Sequence, residues 1–147
     1  MTRPDDDQQV AAAIDGKSAS RCPFCSLVET RIIAGLDLAI ACWDAFPVSP
    51  GHALIVPRRH VASWTEATPD EKAAILSAID VARVHIDERH RPDGYNIGFN
   101  DGIAAGQTVM HLHVHVIPRY AGDVPDPRGG VRWVLGAKAA YWRAGSP

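Results

Sequence analysis

A chain of 147 residues, 46% hydrophobic and with a formal net charge of −2, is large enough for one domain with its own core. Near-neutral charge excludes a broad basic surface for nucleic acid or an anionic membrane, and no apolar run approaches the roughly 20 residues that span a bilayer. Asp5, Asp6 and Asp7 stand where a secretory signal needs basic residues, and three cysteines make no disulfide framework, so a cytoplasmic protein is expected.

Residues 1–20 are polar, acidic and aperiodic and read as a disordered tail, leaving 21–147 as the domain. "CPFCSLVET" begins the ordered part as a turn leading into a short helical piece. "LDLAIACWD" (36–44) has the composition of an early strand, "PVSPG" that of a turn, and "HALIVP" (52–57) that of a buried strand stopped by proline. Thr68, Pro69 and Glu71 then stand where an N-cap, an N1 proline and a capping-box acid belong. Ile75, Ile79, Ala82 and Ile86 give the long helix that follows one face to bury, and Pro92 and Gly94 end it. "YNIGFN" (95–100) reads as a strand, "NDGIAAGQTV" as a glycine-rich loop and "HLHVHVIP" as a further strand. The C-terminal stretch from Asp123 reads as loop, short strand and aromatic tail. One long helix among strands that do not alternate with helices predicts an α+β fold with a mainly antiparallel sheet.

The strand "MHLHVHVIPRY" carries the chemistry. His111, His113 and His115 recur at i, i+2 and i+4, which puts them on one face about 6–7 Å apart, with Leu112, Val114 and Val116 on the other. A half-exposed strand would be served as well by valine, threonine or lysine, none of which titrates near neutrality. Two chemical readings stay open on spacing alone. One is a metal site, since histidines at i and i+2 are a common ligand pair. The other is nucleophilic catalysis, with one imidazole attacking and its neighbours orienting it.

The loop before the strand adds weight to the second. Gly98, Gly102 and Gly106 allow close backbone approach, and Asn100, Gln107 and Thr108 add side-chain donors. Donors directed at one point make a cradle for an anion. A phosphate beside imidazoles suggests phosphoryl chemistry.

"GQTVMHLHVHVIPRY", together with "SPGHALIVPRRHV" and "YNIGFNDGIAAGQTV", resembles the signature of the histidine triad (HIT) family over residues 22 to 120. The resemblance implies an α+β domain with one long helix and a short N-terminal helix, a homodimer, and cleavage of nucleotides, adenine nucleotides by family habit, at the α-phosphate. It implies His113 as the nucleophile that forms a nucleotidyl-histidine, and His115 as the hydrogen-bond partner of the phosphate or leaving oxygen. Asn100, Gln107 and Thr108 match phosphate-contacting positions, and Asp44 matches a position that grips ribose hydroxyls. A neutral imidazole is a competent nucleophile at pH 7.

Dinucleoside polyphosphate hydrolysis is the activity the loop and triad resemble most. Phosphoramide hydrolysis, nucleotidyl transfer or phosphorolysis with the same nucleophile, and nucleotide binding with little turnover are the alternatives. Cys22 and Cys25 have the spacing of half a zinc site, or of a buried or redox-active pair. The resemblance to bacterial members completes the site with His60 and His111, as a closed structural zinc centre. Of the rest, His52 reads as structural, His85 and His90 as solvent-facing, and Cys42 as a core thiol. Arg128 either lies over a polyphosphate chain or belongs to a surface turn. Trp133, Tyr141 and Trp142 read as packing residues near a dimer seam or the substrate mouth.

Overall fold

The structure is a computed structural model, which describes residues 21–143; the tail expected over 1–20 lies outside the described residues. Five strands, β1 (Ile32–Gly35), β2 (Ala39–Trp43), β3 (Ala53–Pro57), β4 (Gly94–Gly98) and β5 (Val114–Arg119), form one antiparallel sheet in the order β1-β2-β3-β5-β4. The long helix α1 (Pro69–His90) joins β3 to β4 and packs on the sheet. This is the α+β arrangement expected. The short N-terminal helical piece is a single 3-10 turn, Glu29–Arg31. No helix among the described residues is long and apolar enough to cross a membrane.

The α1 signals act as read. The Thr68 hydroxyl accepts from the Glu71 backbone N–H while the Glu71 carboxylate accepts from the Thr68 N–H, so two orphan donors of the first turn are satisfied reciprocally. Arg59 grips the same carboxylate through two nitrogens, each at 2.8 Å, tying the helix start to the segment after β3. At the other end Arg91 takes a left-handed conformation (φ 48°) and its N–H closes the last turn on Asp87, with Pro92 following. Ile75, Ala78, Ala82 and Ile86 are buried, and Ile79 packs half-buried beside them. They meet Ala39, Ala41, Ala53 and Ile55 on the central strands, where alanine lets helix and sheet approach closely, and Leu112, Val114 and Val116 close the core.

Three elements differ from the sequence reading. β1 is a separate four-residue edge strand, with a register shift between Ile32 and Ala34, and it has no clear alternation to betray it. Among the described residues the C-terminal stretch holds no strand; Gly129 and Gly130, both at positive φ, open a 3-10 segment, Gly130–Lys138, kinked at Leu135. And β5 begins only at Val114. Continuing the register puts Pro57, which has no N–H to extend the ladder, opposite Leu112, and the Leu112 N–H goes instead to the Val61 carbonyl at 2.7 Å. His111, in a bend, and His113 therefore lie just ahead of the strand, and only His115 is within it.

Candidate active site and metal centre

Leu112, Val114 and Val116 enter the hydrophobic core, while the three histidines that alternate with them find polar partners. Each imidazole has a different set of neighbours, and these set what each ring nitrogen carries. A carbonyl can only accept, so the nitrogen facing one must hold the proton.

His111 is fully buried. Its Nε2–H donates to the Pro57 carbonyl at 2.8 Å, which leaves Nδ1 with a free lone pair. That lone pair faces Cys22 Sγ at 3.4 Å and Cys25 Sγ at 3.6 Å, and Cys25 Sγ lies 3.2 Å from His60 Nδ1. The four donor atoms lie within 4.8 Å of one another. Ligands at the usual Zn–S and Zn–N distances on a tetrahedron stand about 3.3–3.8 Å apart, so this quartet fits a four-coordinate ion. The Pro57 carbonyl fixes the ring of one ligand as outer-sphere acceptors do. Two sulfurs and two imidazoles leave no vacant position on such an ion, so it would hold structure and not bind water for reaction.

His113 has the reverse tautomer. Its Nδ1–H donates to the backbone carbonyl of His111 at 2.8 Å, which leaves Nε2 with the lone pair when the ring is neutral. The residue is buried to 7% exposure, and its ring lies 5.2 Å from that of His115 and 5.0 Å from that of Phe24.

His115 completes a third arrangement. The Val48 backbone N–H donates to His52 Nδ1 (3.2 Å), so His52 carries its proton on Nε2. That N–H faces His115 Nδ1 at 3.0 Å and Asp44 Oδ2 at 3.4 Å. With Nδ1 accepting, His115 presents an N–H at Nε2. Burial, with His113 and His52 beside it, pushes its pKa down to about 4, against a smaller opposing pull from Asp44; burial likewise lowers His52. Both rings are neutral at pH 7. Asp44, His52 and His115 are close enough to suggest a second metal cluster. A cation on His52 Nε2 would, however, require a proton on Nδ1, where the Val48 N–H already points. The cluster is a hydrogen-bonded relay that orients His115.

The loop ahead of the histidines is preformed. Gly102 and Gly106 hold φ of 91° and 90°, a region costly for side-chain-bearing residues. The Gln107 side chain closes the loop: its oxygen accepts from the Gly102 N–H, and its amide donates to the carbonyls of Ala62 and Val109. Burial and three backbone partners commit the Gln107 amide to shaping the loop. Asn100 sits beside Gly106, and Thr108 is exposed.

Asp44 stands at the end of β2, its second oxygen accepting from the Phe46 N–H at 2.8 Å. Arg128 is engaged with Asp126 and lies over the Trp142 ring, so it belongs to the C-terminal surface turn. His52 and Phe24 are the residues the sequence reading undervalued. His52 could have been noticed as an imidazole opening an otherwise apolar strand; Phe24 had no signal beyond lying between two cysteines.

A groove of about 560 Å³ runs along the open sheet face beyond His115, floored by Ile117 and walled by Val48, Asn96 and Trp133.

The HIT domain profile matches residues 27–122, more than half of the sequence. The chain belongs to the HIT family. It is 37% identical to the AP-4-A phosphorylase of Mycobacterium tuberculosis over 69% of this chain, but only 52% of that protein. With the asymmetrical bis(5'-nucleosyl)-tetraphosphatase of Schizosaccharomyces pombe it shares 34% identity over 67% of this chain and 54% of that one. Among solved structures, a Zn-bound histidine triad family protein of Mycobacterium smegmatis superposes with a TM-score of 0.63 at 30% identity, covering 80% of this chain and 93% of that one.

Proposed function

We propose that this HIT protein is a nucleotide hydrolase that cleaves dinucleoside polyphosphates, or related adenosine nucleotides, at the α-phosphate through a nucleotidyl-His113 intermediate. The observation that carries this reading is the opposed tautomers of neighbouring rings: an acceptor lone pair on His113 Nε2 next to a donor N–H on His115 Nε2. His113 Nε2 attacks phosphorus and forms an N–P bond as the bond to the bridging oxygen breaks. That oxygen departs with the electron pair and is met by the His115 N–H. Water then attacks the same phosphorus, breaks the N–P bond and returns His113 to its neutral form. The glycine loop, with Asn100 and Thr108, holds the phosphate, and Asp44 binds ribose. Phosphoryl transfer rests largely on such positioning and electrostatics.

His115, neutral down to about pH 4, offers a hydrogen bond without a spare proton. The groove beyond His115 supports a bulky leaving group, such as a second nucleotide. Zinc fits the Cys22, Cys25, His60 and His111 quartet by ligand type and spacing, and the Zn-bound relative supports the choice. An ion held by these four residues would tie the N-terminal turn to the segment that carries His113. The phosphorylase relative favours one second reading, in which inorganic phosphate replaces water as the acceptor.

Assaying the purified protein on diadenosine polyphosphates and an adenosine phosphoramidate, with and without inorganic phosphate, tests the assignment. His113→Ala should lower turnover by at least about a thousandfold while AMP binding persists. Near-normal turnover by that variant would refute it.

A further inference from the structure

Phe24 lies between the two cysteines of the metal quartet, in a turn closed by the Cys25 N–H on the Cys22 carbonyl (3.2 Å). Its ring meets the edge of His111 with centroids 5.8 Å apart and planes at 86°, and it lies tilted against His113 at 5.0 Å. His111 in turn has two functions in one residue. Its side chain faces the cysteine sulfurs, and its backbone carbonyl accepts the Nδ1–H of His113. Two routes therefore run from the metal ligands to the attacking ring, one through a carbonyl that fixes the tautomer and one through an aromatic brace that fixes the tilt.

We infer that Phe24 is a positioning residue for His113, and that the metal-bound Cys22–Cys25 turn holds the nucleophile's ring in its attacking orientation besides stapling the fold. The inference rests on the reading of His113 as nucleophile. Two cysteines three apart, held by one ion, leave the turn between them little freedom, and Phe24 is the ring they carry. Without that restraint the turn is a short, largely exposed segment on the chain's N-terminal side: Pro23, Cys25 and Ser26 are all exposed. The brace would loosen before the core did, because no residue of the turn other than Cys22 contributes to the buried set. A ring free to tilt attacks phosphorus off line, and sub-ångström errors of that kind cost rate more than affinity.

The test uses the full chain, zinc-loaded and labelled with ¹⁵N-histidine, so that long-range proton–nitrogen correlations report the protonation pattern of each ring. Phe24→Ala should retain one equivalent of zinc and a cooperative melt. Its His113 signals should move from a pure Nδ1–H pattern toward an averaged one. Its kcat should fall on the order of tenfold with KM changed less than about twofold, and Phe24→Leu should recover part of the loss. Chelation under reducing conditions, below the unfolding temperature, should shift the His113 signals in the same way. If the chelated chain unfolds, Cys25→Ser, which weakens a single ligand, is measured in its place.

Unchanged His113 signals in Phe24→Ala, or in the folded chain with its metal site weakened, would overturn the inference. So would a rise in KM at constant kcat, which would make Phe24 a nucleotide contact. The nuclear magnetic resonance readout needs no substrate. A failure of the hydrolase reading would appear as absent turnover with the His113 shifts still present.

Discussion

His111, His113 and His115 share a spacing but not a chemistry, and what separates them is the atom opposite each ring nitrogen. Pro57 and His111 supply carbonyls that assign the protons of His111 and His113; His52 and the Val48 N–H do so for His115. The period-2 pattern made the shared side of the chain legible. It could not reveal these partners, which, apart from the His111 carbonyl two residues from His113, come from β3 and the segment before it. His52 was undervalued for the same reason, since its role depends on β3 pairing with β5, Leu54 opposite His115. A pH prediction follows from the burial of this group. The folded-state pKa of His115 lies near 4, below its ordinary 6.5, so the unfolded chain binds more protons between those values. The neutral-ring contribution is complete above about pH 6.5 and is lost as pH falls toward 4. His115→Asn should therefore lose less Tm than the parent over that window, compared at equal zinc loading. Parallel Tm curves for the two proteins would contradict the assignment.

At the scale of elements, α1 was readable because its signals are local. Thr68, Pro69 and Glu71 act within one turn, and the buried stripe repeats along the same helix. Arg59 adds what no local pattern could show, a bidentate grip on Glu71 from the segment after β3. Hydrogen bonds from Arg59 first, then from Thr68, hold the Glu71 carboxyl down to about 2. Its contribution is present above about pH 4.5 and disappears as pH falls through 2. Glu71→Gln should lower stability at neutral pH by about 1 kcal/mol, with the deficit shrinking in acid, as measured by urea unfolding. A deficit independent of pH would mean the charge does not matter. The elements that escaped the sequence reading depend on distant partners. β1 is defined by its pairing with β2, and β5 starts late because Pro57 is opposite. The C-terminal 3-10 segment follows from the left-handed turn at Gly129 and Gly130, which a glycine pair permits but does not require.

At the scale of the whole molecule, the described residues form one sheet with a single long helix on one face, and the other face is lined in sequence order along β5 and its approach. His113, just ahead of the strand, and His115 within it come first, then the groove over Ile117 toward Arg119 and Trp133. The cluster that could hold a metal comes from three separate stretches, Cys22 and Cys25, His60, and His111, so an ion bound there would tie the start of the domain to the approach to β5. Cys22 and Cys25 were legible as a pair, while their completion by His60 and His111 rested on the family resemblance and meets in space in the structure. The central claim is that His113 attacks phosphorus, and stereochemistry decides it. An α-phosphorus made chiral with sulfur and oxygen isotopes is inverted once by direct attack of water and twice by a route through a nucleotidyl-histidine. The mechanism set out here predicts net retention in the released nucleotide; net inversion would mean an odd number of displacements and would remove His113 as the attacking group.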